Sequence, residues 1–372
     1  MNIALVSNTS WNLFNFRSNL VFALIEKGYQ VFLIAPEDDY TPKIKEWNVT
    51  FLPLSMESKG SNPWTDWKTM RQLKAYYQNH SIDLVLHYTI KPNIYGAIAA
   101  HKAKVKSINN VTGLGTVFLQ DNWVGKVGKV LYRYAFQFPY YVVFQNESDK
   151  KEFVINGLVS AEKCVIIPGS GVNTTKYYVI DKVKENETFT FLMPARLLWE
   201  KGINEYKEAA KLLSTEFKNK VRFVLIGATE EQEKFGVTNK TIAEWLKGSP
   251  IEYVAHTNDM LNWYHQADVV VLPSYREGTS KVLLEAASAG KPIITTNVPG
   301  CKEVVIDGEN GLLVEVKNAN DLYVAMRKML DYSSEELVNM GKQGRRLIET
   351  TFADNIIINH YFCLIDNIRN NR

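Results

Sequence analysis

Two acidic residues eight positions apart, Glu277 and Glu285, bracket the run Gly278-Thr279-Ser280-Lys281. The apolar run Val269–Leu272 ahead of them reads as a strand and Val282–Ala289 as a helix. Glu277 is then expected in the turn at the strand's carboxyl end, with Glu285 in the second turn of the helix. Gly278 lets backbone approach a ligand, and the N–H groups of Thr279, Ser280 and Lys281 at a helix start are expected to face an anion. Carboxylates on either side of a phosphate can each accept bonds from sugar hydroxyls. The plainer alternative is an acidic residue favoured by the helix dipole plus an exposed carboxylate. Positive charge to match comes from Arg196 and Lys201, which precede Gly202 and follow a strand at Thr188–Met193. Arginine can hold a diphosphate bidentately, while lysine adds a mobile point charge. In isolation both are ordinary salt-bridge partners.

The elements that must position these groups alternate throughout the 372 residues. Short β-branched runs (Asn2–Val6, Gln30–Ile34, Asp83–Leu86, Ser107–Val111, Tyr141–Phe144) alternate with helical stretches such as Arg17–Lys27. That pattern implies βαβ units and a parallel sheet. A Pro/Gly turn near Val165–Gly171 and a charged linker, Asp181–Glu187, precede a second series: Thr188–Met193, Arg222–Ile226, Val269–Leu272, Pro292–Thr295 and Gly311–Val314. The expected fold class is α/β, two doubly wound domains with a cleft between them. Their ligands should sit at the carboxyl ends of the strands. The turn after the first strand, Ser7–Asn12, has no glycine, so a G-x-G-x-x-G dinucleotide site is excluded; no P-loop occurs either.

Composition bounds the partners. The charge is +3 overall, but residues 1–170 carry 18 basic and 13 acidic residues. Lys102, Lys104, Lys106, Lys126, Lys129 and Arg133 face only Asp121, with Phe118, Trp123, Tyr132, Tyr134 and Phe136 interleaved. The mixture suits an anionic membrane surface, or a merely solvated basic face. It is too weakly basic for a nucleic-acid binder. No stretch is apolar for long enough to span a bilayer. The amino terminus reads as a strand rather than a secretion signal. Cys164, Cys301 and Cys363 are too widely spaced for a disulfide framework or zinc cluster, which points to the cytoplasm.

Glu277 with Glu285, Arg196 with Lys201, and Val298–Glu303 followed by Asp307–Gly311 together resemble glycosyltransferase family 4. In the first half, Pro36–Thr41, Lys91–Gly96, Val111–Gly115 and Asn146–Ser148 resemble a branch that builds bacterial capsule, O-antigen and lipid-linked N-glycan precursors, including N-acetylgalactosaminyltransferases. The resemblance covers essentially the whole chain. It implies the GT-B fold: an acceptor-binding Rossmann-like domain at 1–175, a nucleotide-sugar domain at 176–355, and a helix at 356–372 returning to the first domain. It also implies a retaining reaction with a UDP-sugar donor and no metal; no Asp-x-Asp is present. Carried over, Arg196 and Lys201 bind the donor diphosphate, Glu285 the ribose, and Glu277 the donor sugar, with the Gly278–Lys281 amides on the distal phosphate. The family's acceptor-side histidine has no counterpart in Asn109–Gly113, and Thr279-Ser280 replaces a common aromatic or proline.

His256, in Val254–Thr257, is placed near the nucleobase. Arg17, taken to open the first helix, and Lys91 are expected to hold the phosphates of a polyprenyl-diphosphate acceptor, with Thr112 and Gly113 close to it. His87 either faces the cleft or is a satisfied structural histidine. Ser170–Asn173 reads as the hinge. The expected protein is a membrane-peripheral enzyme on the cytoplasmic face that transfers HexNAc or hexose to a lipid-linked glycan. The rivals are a nucleotide-sugar epimerase of the same architecture and a non-catalytic sugar-binding module.

Overall fold

The structure, a computed structural model, describes residues 1–57, 62–113, 123–180, 188–230 and 236–371. The expected linker Asp181–Glu187, together with Leu114, Gly115, Phe118 and Asp121, lies outside the described residues. Two compact units result: Met1–Ser170 with Asp354–Arg372, and Gly171–Ala353.

The first unit runs β1 (Asn2–Val6), α1 (Ser10–Glu26), β2 (Gln30–Ala35), α2 (Thr41–Lys45), β3 (Thr50–Pro53), α3 (Pro63–Asn79), β4 (Leu84–Tyr88), α4 (Ala97–Ala103), β5 (Lys106–Val111), α5 (Trp123–Ala135), β6 (Tyr141–Phe144), α6 (Glu147–Ile155) and β7 (Cys164–Ile166). A π-helical turn, Pro92–Gly96, leads into α4. The strands form one parallel sheet in the order β3-β2-β1-β4-β5-β6-β7. Successive side chains of a strand point to opposite faces. Ile3 and Leu5 accordingly join the core against α1, whereas Ala4 and Val6 join the one against α3 and α4. Both faces are covered, so the strands read as apolar runs rather than alternating ones.

The second unit contains β8 (Phe189–Pro194), α7 (Ile203–Glu216), β9 (Val221–Ile226), α8 (Asn239–Trp245), β10 (Ile251–Val254), α9 (Met260–Gln266), β11 (Val269–Leu272), α10 (Lys281–Ser288), β12 (Ile293–Thr296), β13 (Gly311–Val314), α11 (Ala319–Asp331) and α12 (Ser334–Leu347). Its parallel sheet has the order β10-β9-β8-β11-β12-β13. The chain then supplies a last helix, α13 (Asp354–Asn370), to the first unit. There Ile357, Tyr361, Leu364, Ile365 and Ile368 are buried in the core beside α1, and the Tyr361 hydroxyl donates to Asn110 Oδ1 at 2.7 Å.

In both sheets the strand order reverses once, between β1 and β4 and between β8 and β11. A doubly wound sheet opens a crevice at such a point, outside the carboxyl ends of its strands. Arg196 and Lys201 follow β8, and Glu277 follows β11. The first helix departs from expectation. It begins at Ser10, so Arg17 is its eighth residue and does not open it. The polar stretch Ser10-Trp11-Asn12 reads as turn, yet the Thr9 side chain accepts the Asn12 N–H at 3.1 Å and starts the helix there.

Candidate active site

The group expected on the donor side assembles where three loops of the second unit meet. Lys201 ends a short 3₁₀ turn after β8, and its Nζ donates to Glu277 Oε1 at 2.6 Å. Both side chains are largely shielded, at 11% and 16% exposed. Two glycines permit the meeting. A Cβ at Gly202 (φ +78°) would sit 2.1 Å from the Pro273 carbonyl oxygen, and one at Gly300 (φ +84°) 2.3 Å from that of Glu277. Backbone bonds lock the loops: Tyr275 N–H donates to Glu200 O at 2.8 Å and Glu277 N–H to Pro299 O at 3.1 Å. The ammonium has three donors and Glu277 takes one, which leaves capacity for phosphate oxygens beside a fixed carboxylate.

The helix start is used differently from expectation. The Ser280 N–H is not open to an anion, because it donates to Gly300 O at 3.0 Å. The loop after β12 folds onto α10 and consumes that donor. Thr279, by contrast, presents a buried Oγ1 that has no partner among the described residues. Gly278 lies between Glu277 and Thr279 and is half-buried. Lys281 reaches forward to Glu285 at 3.9 Å, one helical turn on. Cys301, next to Gly300, is inert packing: burial pushes its thiol up to about 12.

Glu285 is buried, not an exposed carboxylate. The Tyr264 hydroxyl donates to its Oε2 at 3.1 Å, and Tyr177 hydrogen-bonds it as well. Burial pushes its carboxyl above the usual range, while Lys281, the two tyrosines and Lys176 pull it back. Tyr177 is itself anchored: its carbonyl accepts from Ser288 Oγ and Arg345 Nη1, each at 2.7 Å. Sequence reasoning missed both tyrosines. Neither lies in a motif with Glu285, and only the packing of α9 and the segment entering the unit against α10 brings them there.

Arg196 and His256 do not join this group. Arg196 Nη1 lies 3.7 Å from Glu230 and the side chain is half exposed. His256, beyond the edge strand β10, is exposed and pairs with Asn258 Oδ1 at 3.3 Å.

The first unit has its own crevice at the β1/β4 reversal. Asn8, Thr89, Lys91, Asn93, Thr112 and Gly113 line a cleft of about 270 Å³ there. Lys91 is held by Asp66 at 2.8 Å. Thr89, a β-branched residue at φ +70°, is backbone strain of the kind that collects at binding sites. Its Oγ1 and Asn93 Oδ1 are buried and lack partners among the described residues. Asn93 was legible as part of Lys91-Pro92-Asn93, but its type alone did not single it out. Arg17 does not line the cleft. It is buried with its guanidinium 4.0 Å from the Tyr88 ring centroid, so the surface salt-bridge alternative is removed for it. His87 proves to be the satisfied structural histidine. Fully buried, it bonds the Tyr77 hydroxyl at 3.0 Å and Asn109 Oδ1 at 2.8 Å, and burial lowers its pKa to about 4.

Residues 2–146 match the family model described as Glycosyl transferase 4-like, and residues 179–347 the one described as Glycosyl transferases group 1. The chain thus belongs to the glycosyltransferases, with the two Rossmann-like units of the GT-B architecture. Among its relatives is the Campylobacter jejuni N,N'-diacetylbacillosaminyl-diphospho-undecaprenol alpha-1,3-N-acetylgalactosaminyltransferase, 29% identical over all of both chains. An Escherichia coli UDP-Gal:alpha-D-GlcNAc-diphosphoundecaprenol alpha-1,3-galactosyltransferase is 27% identical over 77% of this chain and 76% of its own. Anabaena HepE, solved with UDP and glucose, aligns over 98% of this chain and 99% of its own with a TM-score of 0.78 at 17% identity, a likeness of fold. These matches favour neither the epimerase nor the sugar-binding alternative.

Proposed function

We propose that the chain is a retaining glycosyltransferase that moves HexNAc or hexose from a UDP-sugar to a polyprenyl-diphosphate-linked glycan, without a metal. The observation that carries the reading is the shielded Lys201–Glu277 pair at the β8/β11 reversal. Relatives named for diphosphoundecaprenol acceptors support the acceptor class. Residues 176–355 would handle the donor and 1–175 the acceptor, with 356–372 returning to the acceptor domain.

In this reading Lys201 offers its remaining donors to the donor diphosphate, and Thr279 Oγ1 with the Gly278–Lys281 segment faces the distal phosphate. Arg196 adds charge from the rim once it leaves Glu230, and His256 lies toward the base. Glu285, oriented by Tyr264, accepts the ribose hydroxyls, and Glu277 fixes both Lys201 and a hydroxyl of the transferred sugar. The bond from the anomeric carbon to the distal phosphate oxygen breaks, and the acceptor hydroxyl oxygen bonds that carbon on the same face. Its proton passes to the departing phosphate oxygen. Charge growing on that oxygen meets a cation already in place, so little reorganisation is needed as the bond breaks. On the acceptor side, Lys91 with Thr112, Gly113 and the unpartnered Asn93 Oδ1 receives the lipid-linked sugar, and Arg17 lends long-range positive charge. An acceptor of that kind fits an enzyme working at the cytoplasmic membrane face, and α5 exposes Val127, Val130 and Tyr134 beside Lys126 and Arg133.

The test is UDP release from a panel of UDP-sugars with and without a polyprenyl-diphosphate-linked acceptor. Acceptor-dependent release is expected. Acceptor-free isomerisation of the donor, or no turnover with any pair, would remove the reading.

A further inference from the structure

We propose that the first two turns of α3 are an anchor for an anionic lipid bilayer, built from Trp64, Trp67, Lys68 and Arg71. The helix buries Asp66, Thr69, Leu73 and Tyr77 and leaves the opposite stripe in water. On that stripe Trp64 is 62% and Trp67 40% exposed, with ring centroids 5.1 Å apart and planes at 17°. Lys68 Nζ stands 5.7 Å from the Trp64 ring centroid, and the Arg71 guanidinium 4.7 Å from that of Trp67. Large exposed indoles cost solubility in a chain that lives only in water, so a clustered pair calls for an occupant.

The geometry decides which one. Each indole is stacked on the other and has a cation over its ring. The broad faces that a sugar would need are therefore taken, while the ring edges and charges remain outward. Indoles with cations at one level match the headgroup layer, where amphipathic rings settle and lysine and arginine meet anionic phosphates. The position fits as well. Asp66, between the two tryptophans in sequence, bonds Lys91 of the cleft from the buried face of α3, so the same turn that carries the stripe on its outer side is tied to the cleft on its inner side. Both α3 and α5 pack against the Pro92–Gly96 turn, so the two helices share that turn as a neighbour. The proposal rests on the lipid-linked acceptor reading for its purpose, and on α3 alone for its evidence.

The experiment is cosedimentation of the full chain with vesicles of phosphatidylglycerol and phosphatidylcholine, or of phosphatidylcholine only. Wild type is compared with Trp64→Ser/Trp67→Ser and with Lys68→Gln/Arg71→Gln. The charge variant should partition about 30-fold more weakly onto the anionic vesicles, from roughly 1 kcal/mol per cation, and the difference should shrink in high salt. Removing both indoles should weaken partition by at least about tenfold. Should the tryptophan variant fail to fold, the charge variant alone decides. Unchanged partition by a folded variant, equal binding of wild type to neutral vesicles, or protection of the indoles by soluble glycan without lipid would each overturn the anchor. A water-soluble acceptor analogue separates this from the functional reading. With it as acceptor, both variants should release UDP from the sugar donor at the wild-type rate, whereas no turnover by wild type sinks the transferase reading and leaves the vesicle comparison intact.

Discussion

The two crevices solve the same topological problem with different polar accounting. At the β8/β11 reversal the charged groups are matched internally: Lys201 with Glu277, Lys281 with Glu285, and Glu285 with two tyrosine hydroxyls. At the β1/β4 reversal the cation Lys91 is matched, but Asn93 Oδ1 and Thr89 Oγ1 are buried without partners among the described residues. Such atoms each forgo roughly 1–3 kcal/mol until something bonds them. The difference teaches that the proposed donor end sets its charged groups in position before any ligand arrives, with Thr279 Oγ1 left to bond one, while the reserve at the proposed acceptor end lies in neutral polar atoms around a matched cation.

The comparison can be broken most forcefully at Lys201. Lys201→Ala removes the cation and strands the Glu277 carboxylate, so the rate of UDP release should fall about 100- to 1,000-fold. A fall of less than about threefold in a folded variant would refute the preset donor end. Next in size is an acid response of opposite sign in the two units. His87 has a folded pKa of about 4 against 6.5. Acid therefore protonates the unfolded chain first. The stability His87 confers is complete above pH 6.5 and drains away toward pH 4, by about 3 kcal/mol in all. Glu285 is raised, so the folded second unit gains relative stability as pH falls and loses it as pH rises through the folded pKa. Calorimetry between pH 7 and 4.5 should show the first unit's transition moving down more than the second's, and His87→Gln should reduce that movement.

A smaller effect sharpens the donor end. Tyr264→Phe removes one hydroxyl from Glu285, which should raise the donor KM about tenfold with kcat nearly kept. The rise should be larger at pH 5 than at pH 8, because the carboxylate loses support. Equal KM values at both pH values would deny the tyrosine that role. The smallest expected change tests the reserve at the acceptor end. Asn93→Ala should raise the acceptor KM by about fivefold and leave the donor KM unmoved, a split that steady-state kinetics with each substrate varied would read.

Much of the architecture was legible because both sheets are covered on both faces, so Val269–Leu272 and Gly311–Val314 stand out as apolar runs between turns. The Lys201–Glu277 meeting was legible from topology, since each follows a strand at a reversal point. What escaped depends on partners remote in sequence. The Ser280 N–H looked open until the Gly300 loop folded over it, and Arg196 looked bound for the diphosphate until Glu230 stood nearer. For Glu285 the exposed-carboxylate alternative stayed open, because the tyrosines that enclose it come from two other segments. The start of α1 was hidden for a local reason, as a threonine cap makes helix of a stretch whose side chains are those of a turn.

The helix Asp354–Asn370 completes the hydrophobic layer over one face of the first sheet, although more than 180 residues separate it from that sheet's last strand. On a ribosome the second unit is therefore whole while the first still lacks a wall. Until Ile357, Tyr361 and Ile365 emerge, the apolar surface around α1 stays bare, so the amino-terminal half closes its core only when synthesis reaches that helix.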